Sequence, residues 1–100
     1  MKYYILNGSF REDRPEGPAF KAALDAHHAY LEPFVTSGKI LVSGPKPGGG
    51  GIMVLRAQDM EEVQTLIAKD PFVTGGVQTY DVTEFKPFNL QPEVKDWFSK

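Results

Sequence analysis

The sequence predicts an α+β fold with elements in the order β-α-β-β-α-β. Three observations carry that prediction. Two stretches place apolar residues at helical spacing. Four short runs rich in branched and aromatic residues flank them. Glycine- and proline-rich segments separate the pieces. The chain has 100 residues, of which 41% are hydrophobic, and that length makes one domain.

Tyr3-Tyr4-Ile5-Leu6 reads as the first strand, ended by Asn7-Gly8. Residues 8–17 carry charges with Gly and Pro and read as a loop. Gly17-Pro18 opens a helix, because proline suits a first helical position. Phe20, Leu24, Leu31 and Phe34 then form its apolar stripe. Pro33 removes one backbone donor and should loosen the last turn, and Gly38 should cap it. Lys39 to Ser43 is the second strand. A loop with four consecutive glycines, Gly48 to Gly51, leads to the third, Ile52 to Leu55.

Asp59 with Glu62 makes a start like a capping box for a helix from Met60 to Lys69, packed through Val63, Leu66 and Ile67. Asp70-Pro71 stops it. Val77 to Phe85 is the fourth strand. Two halves, Met1 to Pro45 and Gly50 to Phe85, share this element order, the ferredoxin-like or split-βαβ arrangement with a four-stranded antiparallel sheet. The domain is expected over residues 1–88. Residues 89–100 form a C-terminal extension in which Pro92-Glu93 can open a short helix.

An antiparallel sheet with one wet face alternates apolar and polar residues. The first three strands do not alternate, so both of their faces are apolar. Two helices cover one face. The other needs a second layer, and a homodimer packed sheet to sheet, a dimeric α/β barrel, is expected. The alternative is a tail folded over that face through Trp97 and Phe98.

Composition excludes several classes of chemistry. No cysteine is present, so a disulfide scaffold, a thiolate zinc site and a Cys nucleophile are ruled out. Eleven basic against thirteen acidic residues leave no basic stripe, and no nucleic-acid partner is expected. No run approaches the roughly 20 apolar residues of a membrane span. A cytoplasmic protein without a membrane partner is the expectation.

His27 and His28 are neighbours and point about 100° apart on a helix, so they do not chelate one metal. No metal is expected. His27 lies at the centre of the apolar stripe and faces the sheet, where its polar atoms need partners. A core histidine bonded to a backbone carbonyl satisfies that requirement, as does an acid–base residue. Asp70 follows a helix C-terminus, where an anion opposes the macrodipole and an imidazole partner would favour it. The glycine run lacks the Lys-Ser/Thr ending of a phosphate loop and reads as a hairpin loop. Arg11 and Arg14, in the first loop, are candidates for holding an anionic group.

His27-His28-Ala29-Tyr30-Leu31, the segment Gly38 to Pro45, and Asp70-Pro71-Phe72 together resemble the YCII-related family. The likeness runs over about residues 1–88. It implies a ferredoxin-like fold that dimerises through its sheets, with a His–Asp pair at His27 and Asp70 as the active site. One activity known in the family is elimination of HCl from a chlorinated hydroxyhydroquinone. The resemblance therefore implies a cofactor-free lyase or isomerase acting on a small aromatic or ring substrate. Its pocket would be walled by aromatics such as Tyr3, Tyr30, Phe72 and Tyr80, with Arg11 or Ser43 holding a substrate oxygen or halide. A non-catalytic dimer that binds a small ligand or a protein, and a monooxygenase of similar dimeric fold, are the alternatives.

Overall fold

The computed structural model describes residues 1–99. Its elements are β1 (Lys2–Phe10), α1 (Gly17–Thr36), β2 (Ile40–Pro45), β3 (Gly51–Ala57), α2 (Met60–Ala68), α3 (Pro71–Thr74) and β4 (Gln78–Phe85). Two single 3-10 turns, Pro92–Val94 and Trp97–Ser99, follow. The strands form one antiparallel sheet in the order β2-β3-β1-β4. This is the ferredoxin-like α+β arrangement that the element order predicts. No helix among the described residues is long and apolar enough to cross a membrane.

β1 is longer than its sequence suggests. Asn7-Gly8 reads locally as a turn, yet Gly8, Ser9 and Phe10 continue the strand opposite Tyr80, Thr79 and Gln78. β4 supplies the backbone partners, and sheet hydrogen bonding outweighs the local turn preference. The extension matters because it carries Phe10 to the rim of the cleft described below.

α1 runs through Pro33 and ends one turn later. Gly38, just beyond the Ser37 cap, has φ of 82°. Its N–H bonds the Val35 carbonyl at 3.0 Å, and the Lys39 N–H bonds the Phe34 carbonyl at 2.9 Å. This pair of bonds satisfies the last free carbonyls of the helix and requires a left-handed residue, hence glycine. At the start of α2, Asp59 Oδ1 accepts from the Glu62 N–H at 3.0 Å. Glu62 reaches back to the Gln58 N–H at 2.8 Å, one residue before the cap itself. The Lys39 ammonium beside Glu62 holds its carboxyl below the usual range.

One sheet face packs under the helices. Tyr4 and Leu6 of β1 lie opposite Leu55 and Met53 of β3, and Leu31 of α1 and Val63 of α2 close the core over them. On the outer face, the C-terminal tail covers one end. Tyr3 packs against Trp97 and Phe98, and its hydroxyl donates to the Phe98 carbonyl. The Arg56 guanidinium lies 5.0 Å from the centre of the Trp97 ring and bonds the Trp97 carbonyl at 2.9 Å. The Trp97 indole N–H donates to the Gly38 carbonyl. Beyond the tail the outer face is apolar and open over β2, β3 and the start of β1, and polar over β4, which presents Thr79, Asp81 and Thr83 there. Val42 and Ile52 are 56% and 38% exposed, with half-buried Ile5 and Val54 between.

Candidate active site

Between α1, α3 and the core face of the sheet lies a cleft of about 480 Å³. Phe10, Phe20, Leu24 and Met53 give it apolar walls, and the glycine-rich hairpin between β2 and β3 forms part of its rim. The hairpin can lie that close only because Gly50 has no side chain. Its φ is +84°, and a Cβ there would meet the Gly8 carbonyl oxygen at 2.0 Å. Among the described residues the lining carries no Lys, Arg, Asp or Glu side chain; its polar groups are His27, His28, Ser43, Gln78 and Tyr80.

His27 projects from the buried face of α1, as its place in the apolar stripe predicts. Its Nδ1 meets Asp70 Oδ1 at 2.7 Å. Its ring stacks on Phe72, with centroids 4.2 Å apart and planes 9° from parallel. Phe72 in turn packs against Phe10 and Phe20. The imidazole is thus fixed by a hydrogen bond at one edge and an aromatic face beneath it.

Asp70 is fully buried and does not itself line the cleft. It stands behind His27. The sequence places it at the C-terminus of α2, in conflict with the helix dipole; the structure resolves that conflict. Asp70 is the N-cap of α3, and its Oδ1 accepts the Phe72 N–H at 2.9 Å. A carboxylate at a helix N-terminus is favoured. Its Oδ2 accepts from the Tyr80 hydroxyl at 3.1 Å, and that hydroxyl accepts from Gln78 Nε2 at 2.8 Å. Burial and the Asp70 charge push the Tyr80 phenol far above its ordinary range, so it stays a donor.

The bonding pattern assigns the imidazole proton. An ionised carboxylate only accepts, so His27 Nδ1 donates to it. Nε2 is then left as the basic nitrogen on the cleft side. This is the geometry of a general base oriented and charge-compensated by an acid.

A model of the YCII-related domain matches residues 1–86. The chain belongs to the YCII-related family. Among solved structures it is similar to 5-chloro-2-hydroxyhydroquinone dehydrochlorinase (TftG) from Burkholderia phenoliruptrix AC1100, in complex with 2,5-dihydroxybenzoquinone. The identity is 26% and the TM-score 0.68, over 84% of this chain and 93% of that one. An Arabidopsis thaliana protein shares the fold at 15% identity and TM-score 0.50, over 91% of this chain and 99% of that one. No curated protein matches by sequence.

The structure of this YCII-related chain brings four of the six sequence-predicted site residues together. His27, Ser43 and Phe72 line the cleft, and Asp70 backs it. Ser43 reaches it from β2, where it pairs with Met53 on the core face. The other two lie elsewhere. The Arg11 guanidinium is held by Asp13 in its own exposed loop, at 2.8 and 3.0 Å. Tyr30 turns toward α2 and donates to the Leu66 carbonyl at 2.8 Å. Tyr3, expected as a wall, lies on the outer sheet face under the tail. Residue type suggested these three; helix rotation turns Tyr30 away, strand alternation turns Tyr3 away, and the bond to Asp13 holds Arg11 in its own loop. Sequence reasoning missed Gln78 and the Phe10 and Phe20 walls. The legible signal for Gln78 is an amide on the same strand face as Tyr80 and Val82.

Proposed function

We propose that this protein is a cofactor-free lyase that uses His27 and Asp70 for acid–base chemistry on a small hydroxylated ring, with loss of HCl from a chlorinated hydroxyhydroquinone as the leading reaction. The observation that carries the reading is the 2.7 Å contact between a cleft-lining imidazole and a wholly buried carboxylate. The likeness to a dehydrochlorinase over most of both chains supports the choice of reaction. The uncharged, aromatic-walled lining suits a flat neutral ring better than a phosphate or carboxylate ligand.

An aryl carbon does not expel chloride directly, so a proton has to move first. His27 Nε2 takes a ring-hydroxyl proton and returns it to the chlorine-bearing carbon, which becomes tetrahedral. Loss of a second hydroxyl proton to the same nitrogen drives out chloride and leaves a hydroxyquinone. The net change is one proton and one chloride. Asp70 compensates the imidazolium at each stage, the cleft-lining Ser43 hydroxyl meets a substrate oxygen or the halide, and Phe72 holds the imidazole in plane.

The test is chloride release from 5-chloro-2-hydroxyhydroquinone. His27→Ala and Asp70→Asn are expected to lose on the order of a hundred-fold or more in turnover while ring binding persists. Full activity in both variants refutes the acid–base pair. Saturable ring binding with no chloride released by the unmodified protein favours a binding module instead.

A further inference from the structure

We propose that Tyr80 and Gln78 are positioning residues for the His27–Asp70 pair, joined in a one-way hydrogen-bond chain that fixes the carboxylate and limits its hold on the imidazole proton. The proposal rests on the acid–base reading above.

The direction of the chain follows from counting donors. Ionised Asp70 has none, so the Tyr80 hydroxyl at 3.1 Å donates to Oδ2. That hydroxyl has only one proton. Its 2.8 Å contact with Gln78 is therefore accepted from the amide nitrogen. Gln78 Oε1 then points away, and it is buried without a partner. A half-satisfied buried amide costs stability, and an apolar residue at this strand position would avoid the cost. The backbone is nevertheless shaped to admit it. Gly8, opposite Tyr80 in the sheet, leaves the room: a Cβ there would lie 2.3 Å from Gln78 Oε1. An amide retained at a cost, in a space cleared by a glycine, is accounted for by what it donates to.

Among the described residues, the exposed Lys69 precedes this carboxylate in the chain, and α1 brings further titratable groups to it. His27 bonds it, His28 lies next to His27, and the Tyr30 phenol is raised in part by the Asp70 charge. At the register position facing Tyr80, β1 presents Gly8 and hence no ionisable side chain. Tyr80 is thus the one side-chain hydroxyl seen donating to Asp70 among the described residues. Together with the Phe72 N–H it spreads the carboxylate charge, so Asp70 orients the imidazolium without holding it too tightly to return its proton.

The test compares the unmodified protein with Tyr80→Phe and Gln78→Met. The His27 ring is titrated by NMR without substrate, and the pH profile of chloride release is measured in parallel. In Tyr80→Phe both the NMR midpoint and the acid limb are expected to rise by about half to one pH unit, because an uncompensated carboxylate holds the imidazolium more strongly. Gln78→Met shifts both the same way by less. A purely structural role changes the melting temperature and leaves the midpoint in place. An unmoved midpoint in folded variants overturns the proposal, and if Tyr80→Phe does not fold, Gln78→Met decides it. Because the NMR titration needs no turnover, a moved midpoint in a protein that releases no chloride sustains the chain and rejects the reaction.

Discussion

At Asp70 one buried carboxylate accepts from donors on three elements: the His27 imidazole of α1, the Phe72 amide of α3 and the Tyr80 hydroxyl of β4. It closes the fold around the cleft and orients the imidazole at the same time. Asp70→Ala strands those donors in a dry interior. It is expected to lower unfolding free energy by at least about 2 kcal/mol in urea titrations. Asp70→Asn, which keeps one acceptor oxygen, is expected to cost clearly less, and equal losses would show that the acceptor role is unimportant. The sequence made this residue legible through the Asp-Pro-aromatic step, and made His27 legible through its place in an apolar stripe. It did not make Tyr80 legible as a donor to Asp70. The two are brought together only when β4 packs beside the α2–α3 connection, and no spacing rule encodes that encounter.

The element boundaries show which local signals survive packing. The glycine cap of α1, the Asp59 start of α2 and the stop at Asp70-Pro71 hold, because each is a backbone requirement satisfied within a few residues. The end of β1 does not: its last residues are drawn into the sheet by β4. α3 escapes local reading because four residues, Pro71–Thr74, are too few to show periodicity. Gly38→Ala tests the strictest local requirement. At φ of 82°, and with an added Cβ 3.1 Å from Arg56 Nη2, alanine is expected to cost about 1 kcal/mol or more in denaturant unfolding. An unchanged midpoint would mean that the helix end readily adopts another cap.

For the whole molecule, the outer sheet face is what a single chain leaves unfinished. The tail covers the end that holds Tyr3, Arg56 and Phe85. Ile5, Val42, Ile52 and Val54 remain as an apolar field, which we propose a second copy covers sheet to sheet. Sedimentation equilibrium is expected to give twice the mass of one chain, and a Val42→Lys, Ile52→Asp double variant to give a monomer. A monomeric unmodified protein rejects the dimer. The tail, given from the sequence as the alternative to the dimer, covers one end of this face. The sequence by itself determined the element order, the buried side of α1 that carries His27 and the stop of α2 at Asp70, because periodicity and backbone caps act within a few positions. Only the tertiary structure decided which aromatics face the cleft, that Asp70 caps α3, and that Gln78 and Tyr80 join it in one hydrogen-bond chain. Those facts depend on side-chain direction and strand register, which are settled when distant segments pack together.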